Sequence, residues 1–157
     1  MPTLQALIQL LDHERRARDE ALQALSHAEG TAGQAEAQAQ ALNTYRSDYV
    51  ERWSARFREP GSVALMQCYQ GFMQRLEQAI VQQRHAQAQA KLRVDQARGA
   101  LVDNQRRVAS VEKLIERRQQ QDQRLVARRE QVRTDETAQR AHARRVAAQP
   151  DHGESHL

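Results

Sequence analysis

The side chains of this chain best able to ligate, attack or transfer a proton are six histidines and one cysteine. His152 and His156 stand four apart, the spacing with which one helical face grips a metal ion. They sit in "DHGESHL", a Gly-containing tail that offers no third ligand, so no metal site is expected. His13, His27, His85 and His142 are scattered over polar positions. Cys68 has no adjacent base to activate it as a nucleophile, and it is expected to pack near a turn. As the only cysteine it excludes an internal disulfide and suits a reducing compartment. The sequence has no P-loop, no Gly-rich phosphate loop, no Gly-x-Ser-x-Gly and no Cys-x-x-Cys. No catalytic residue, no cofactor and no small-molecule substrate are therefore expected, and the chain does not read as an enzyme.

Two other groups of residues stand out. One is aromatic. Tyr45, Tyr49, Trp53, Phe57, Tyr69 and Phe72 are all the aromatic residues of the chain, and all flank Pro60-Gly61. The other is basic. Residues 1–105 balance their acids and bases, so the formal net charge of +4 arises beyond them, in "RRQQQDQRLVARREQVR" and its surroundings. Such a helix reads either as a solvated arm with local ion pairs, as a phosphate-neutralising nucleic-acid binder, or as an insert for an acidic protein cavity. Acidic interruptions and the lack of a base-reading face count against nucleic acid.

The elements that must position these groups follow from composition. The chain is 157 residues long, 39% hydrophobic and 28% charged, with a mean hydropathy of −0.87. Much of the hydrophobic share is alanine, which buries little area, so a three-dimensional core is not expected. Ala, Gln, Glu, Arg and Leu favour helix, and the bias predicts a coiled-coil rod. No apolar run is long enough to span a membrane. "MPTLQALIQLLDHERR" lacks a basic leader and a cleavage site, so it reads as a helix start and not a signal peptide, and a cytoplasmic protein is expected.

The fold class predicted is all-α: a long two-helix antiparallel coiled-coil hairpin with a projecting C-terminal helix. Thr3 caps a helix over about 4–58, a turn occupies 59–62 with Ser62 as the next cap, and a second helix runs over about 63–149. Residues 1–149 form one hairpin and 150–157 a disordered tail. A short kinked helix over about 63–75 is a refinement of this scheme. Leu4, Ile8, Leu11, Leu22, Leu25, Ala32 and Ala39 alternate by three and four on the first helix. Ala90, Val94, Ala97, Leu101, Asn104, Val108, Val111 and Ile115 do so on the second. Folding about residue 60 pairs positions whose numbers sum to roughly 120, which sets apolar residues opposite one another at most layers. Arg15 against Asn104 and Arg18 against Leu101 interrupt the seam. The register leaves residues 119–149, roughly 45 Å of helix, without a partner.

Near the turn the apolar arcs are wider than a two-helix seam needs. Val50, Trp53 and Phe57 continue the seam, while Leu42, Tyr45 and Tyr49 make a second stripe beside it. On the second helix Phe72, Leu76 and Ala79 form one stripe and Met66, Met73 and Ile80 another. A folded-back segment, a second copy or a partner can cover the surplus.

Taken together, "LQALIQLLDHERRARDEAL", "LNTYRSDYVERW", the Gly61-to-Ile80 block and "VEKLIERRQQQ" resemble the FliJ family of flagellar type III export, in order and spacing, over nearly the whole chain. The resemblance implies an antiparallel coiled coil similar to the γ stalk of rotary ATPases. It implies partners too: the hexameric export ATPase FliI, whose centre receives the end carrying both termini; the membrane export-gate protein FlhA; and the export chaperones that the family escorts. By position, the gate face would comprise Gln38, Leu42, Tyr45, Tyr49, Phe72, Leu76, Ala79 and Gln83, the last a histidine in some relatives. The ATPase-facing end would use Leu4, Ile8, Arg117, Arg118, Arg124 and Arg128. The implied location is cytoplasmic, peripheral to the inner membrane at the flagellar base. Two alternatives remain, a non-flagellar injectisome stalk and a basic coiled-coil nucleic-acid binder.

Overall fold

The structure, a computed structural model, describes residues 2–59, 61 and 63–149. Two α-helices account for nearly all of them: α1, Leu4–Arg56, and α2, Val63–Ala148. Among the described residues there is no strand, and the fold is the two-helix all-α hairpin that the periodicity predicts. α1 starts where the sequence provides a cap. The Thr3 hydroxyl accepts the Ala6 amide at 3.1 Å, and the Thr3 carbonyl accepts the Leu7 amide at 3.1 Å. α1 ends two residues before the expected Arg58, at Arg56, a basic last-turn residue that suits the carbonyl end of the helix dipole. The Glu59 amide then turns back to the Arg56 carbonyl at 3.3 Å. α2 is continuous from Val63, so no separate kinked helix precedes it. The Ser62 cap and the tail 150–157, with His152 and His156, lie outside the described residues.

The chain divides into two units, residues 12–109 and residues 1–11 with 110–157. In the first, α1 and α2 pair antiparallel. Gln38 with Gln83, Tyr49 with Phe72 and Glu14 with Arg107 are in contact, and the numbers of each pair sum to roughly 120, as folding about residue 60 requires. On α2 the least exposed positions are Leu76, Ile80, Ala90, Val94, Leu101, Asn104 and Val108. They recur by three and four once the half-buried Gln83, Gln87 and Ala97 are included. The α1 row opposite is Ala21, Leu25, Ala28, Ala32, Ala35, Ala39 and Leu42. Leu22 is not in it. It is 46% exposed, and Ala21 takes the inward place.

The polar break in this seam is built differently from the sequence expectation. Glu14, not Arg15, turns inward. Its carboxylate meets Arg107 Nε at 3.3 Å, and the same guanidinium donates to Asn104 Oδ1. Asn104 is 8% exposed and so has its partner. A polar layer of this kind fixes register, because slipping one helix by seven residues would part Glu14 from Arg107. A second polar layer lies nearer the turn, where Gln83 Nε2 donates to the Ala35 carbonyl at 3.0 Å and to Gln38 Oε1 at 3.2 Å.

Between these two polar layers the seam is thin. Ala28, Ala32, Ala35 and Ala39 face a row that includes Gln83, Gln87 and Ala90. Gly30 and Gly33 lie on the same stretch of α1, and a Cβ at either would meet nothing within 4 Å. No close approach of helices requires them.

In the second unit, Leu7 is 5% exposed and Ile8 51%, reversing the expected roles of these two neighbours. Leu4 and Leu11 are half-buried, and Val111 is buried. Past Ile115 the inward places fall to Arg118 and Asp122, whose ion-pair contact at 3.5 Å is too poorly aligned to be a hydrogen bond. Every described residue from Gln123 onward is exposed. There the helix is held by local contacts: Thr134 and Thr137 donate to the carbonyls four residues back, and Gln131 donates to Asp135 at 3.2 Å.

The two neighbours separate in a stability measurement. Leu7→Ala should lower the unfolding free energy by roughly 2–3 kcal/mol, since it empties a buried layer. Ile8→Ala should change it by under about 0.5 kcal/mol. Urea titrations followed by helical circular dichroism read both, and equal losses would contradict the assigned register.

Candidate functional site

Three rings on α1, Phe57 just beyond its end, and two rings on α2 gather beside the turn. Tyr49 and Phe72 lie closest, with ring centroids 4.3 Å apart. Tyr69 stacks on Tyr49 at 5.9 Å and 12°, and it meets Trp53 at 5.4 Å and Phe57 edge-on at 5.3 Å. Phe57 in turn packs on Trp53 at 5.2 Å, and the Arg56 guanidinium lies 5.7 Å from the Trp53 ring centre. Most of these separations suit tilted or edge-on ring pairs, which add to simple area burial. The cluster closes the hairpin where the chain must also order a turn, and its large rings supply the contact that alanine layers cannot.

Tyr45 is the outlier. Its ring meets Phe72 edge-on and Tyr49 stacked, each at 6.2 Å, yet it remains 50% exposed. Tyr49, by contrast, is half-buried and ringed by aromatic neighbours. The stripe drawn from the sequence through Leu42, Tyr45 and Tyr49 therefore splits. Leu42 and Tyr49 fall on the seam together with Trp53, and Tyr45 alone projects. Met73 and Ile80, placed on an outer stripe, also turn inward, Ile80 to 7% exposure. The reason is phase. Counting strictly by sevens from Leu7 gives 14, 21, 28, 35, 42 and 49, and a wheel at 100° per residue drifts off that row over so many turns.

Five of the eight residues of the implied gate face are in contact across the helices. Gln38 and Gln83 share a hydrogen bond, and Tyr45 and Tyr49 both touch Phe72. Gln38 and Tyr45 are exposed, Leu42, Tyr49, Phe72, Ala79 and Gln83 half-buried, and Leu76 buried. Sequence reasoning missed their neighbours. Arg46 Nη2 pairs with Glu77 Oε1 at 3.2 Å, and with Asn43, Ile80, Val81 and Arg84 they line a groove between the helices. Arg46 sits on the row counted by sevens from Leu4, so the signal was available. Cys68 is exposed and not packed as expected.

The six residues assigned to the other end lie in the second unit. Leu4 is half-buried and Ile8, Arg117, Arg124 and Arg128 are exposed. Arg117 and Arg118 line a groove with Pro2, Leu7, Leu114 and Gln121. Among the described residues, no cluster of three or more His, Cys, Asp or Glu side chains has the arrangement of a metal site. No helix among them is long and apolar enough to cross a membrane.

Two helices paired along a heptad seam, with an aromatic lock at the turn and open grooves along the helices, define a coiled-coil interaction protein. The chain belongs to the FliJ family: the family profile described as "Flagellar FliJ protein" matches residues 3–147. It is accordingly a component of the flagellar export apparatus, in a family of structural and chaperone-escort proteins. No curated protein matched the chain.

The two tyrosines should separate in thermodynamics. Tyr49→Ala should destabilise the hairpin by roughly 2–3 kcal/mol, because it removes the centre of the ring cluster. Tyr45→Ala should cost about 1 kcal/mol or less. Thermal unfolding of the two single variants measures the difference, and comparable losses would return Tyr45 to the core.

Proposed function

We propose that this chain is the stalk of the flagellar export ATPase. Its terminal end enters the centre of the FliI hexamer and promotes ring assembly and activity, while its turn end contacts the export gate FlhA. It escorts export chaperones between the two and performs no chemistry of its own. The observation that carries this reading is the family match across residues 3–147, joined to a basic helix that is exposed from Gln123 onward. A helix with that much arginine and no tertiary cover is suited to a cavity lined by carboxylates, which guanidinium groups meet in a planar, bidentate way. The flagellar match also favours this reading over an injectisome stalk. On this reading the protein works in the cytoplasm and is held at the inner membrane through its partners.

At the turn end, Tyr45 and Gln38 offer the accessible surface, with Leu42, Tyr49, Phe72, Ala79 and Gln83 partly so. Leu76 supports them from beneath. An exposed aromatic ring held by two other rings is pre-ordered, so a partner loses little by binding it.

Removing residues 119–157 should leave the helical signal of the remaining hairpin cooperative and abolish stimulation of the ATPase. Stimulation at the full-length level by the truncated chain would refute the stalk assignment. At the other end, Tyr45→Ala should weaken binding to the cytoplasmic domain of the gate at least tenfold, measured by calorimetry. Wild-type affinity would remove Tyr45 from the contact.

A further inference from the structure

The heptad of α2 does not stop where its inward row turns charged. Val111 is buried at 6%, and the places that follow it by sevens hold Arg118, Leu125, Val132, Gln139 and Val146. Leu125, Val132 and Val146 are 50%, 55% and 58% exposed. They are apolar residues at seam positions on a helix with no seam partner. A solvated helix has no use for a branched apolar residue every second turn, and these residues carry slightly lower helix propensity than alanine. Between Leu125 and Val132 the surface is concave, a shallow groove lined by those two residues with Arg128, Arg129 and Arg133.

We propose that Leu125 and Val132, with Arg128, Arg129 and Arg133, form a docking strip for an amphipathic helix with carboxylate flanks, presented by the export ATPase. The proposal rests on the stalk reading above and adds what the ATPase must offer at this end. The occupant is fixed by chemistry. The strip continues a row that is already an interface in the same unit, so the complementary shape is another helix with its own apolar row. Arg129 takes the seam position between Leu125 and Val132 and would be covered on docking, and a buried guanidinium needs a carboxylate opposite it. Arg128 and Arg133 flank the row and ask for acidic neighbours. A parallel pairing of two copies would set Arg129 against Arg129 and Arg128 against Arg133, which an acidic helix avoids.

The test uses the full chain and the purified ATPase in a binding titration at fixed salt. Leu125→Gln with Val132→Gln should lower affinity at least tenfold, and Arg128→Glu with Arg133→Glu should do the same. Ala127→Gln with Thr134→Gln, on the opposite side of the helix, should bind as the wild type does. All four residues of the first two variants are exposed, so helicity is unaffected. Normal binding by both strip variants overturns the docking strip and leaves the stalk reading standing. An equal loss in the control variant also overturns it, because the whole helix and not one face would then be read. No binding by the wild-type chain overturns the stalk reading and the strip with it. A wild-type dimer in sedimentation that Leu125→Gln with Val132→Gln dissolves would assign the strip to a second copy and overturn the proposal.

Discussion

The antiparallel seam between α1 and α2, repeating every seven residues, is the constraint on which the other features of residues 12–109 depend. A chain this poor in large apolar residues cannot bury them in three dimensions, so it buries them along a line. Once the line is set, each side chain has one of two fates, inward or solvated, and neighbours in sequence are treated oppositely. Ala21 and Leu22 differ in this way, and so do Tyr49 and Tyr45. The polar layers make the line specific. Glu14 of α1 meets Arg107 of α2 only in one register, and so do Gln83, Gln38 and the Ala35 carbonyl. Alanine layers alone would accept several registers at nearly equal free energy.

Much of this was legible in the sequence. The two helices, the Thr3 cap, the turn and the pairing about residue 60 follow from helix formers, one breaker and simple antiparallel geometry. The inward row of α2 from Ala90 to Ile115 was read without error, although Val102 and Leu114 stand beside it. α1 was harder, because Leu7 beside Ile8 and Ala21 beside Leu22 offer two phases with the same local alternation. Burial follows the phase that serves the whole helix, even where it places an alanine inward and a leucine outward. Local hydrophobicity favours the opposite choice, which is why it misled there.

The same competition explains the aromatic face. A helical wheel separates Tyr49 from Trp53, whereas a strict heptad keeps both on one seam. What remains exposed is narrower than the sequence stripe: one projecting tyrosine, polar residues at its edge, and rings packed against it. The pairing of Arg46 with Glu77 could not be read from composition, because surface ion pairs leave little trace in hydrophobic patterning. It needed the register first.

The alanines between the two polar layers carry a mechanical meaning. Stiffness in a pair of helices comes from interlocked side chains that resist sliding and bending. Leu25 and Val94 are the large seam residues on one side of this stretch, and Leu76 and Ile80 on the other, while alanine methyl groups and glutamines fill the seam between. Elastic strain imposed on residues 12–109 therefore concentrates in that stretch. The segment behaves as a flexure, and the polar layers on either side keep it from slipping while it bends.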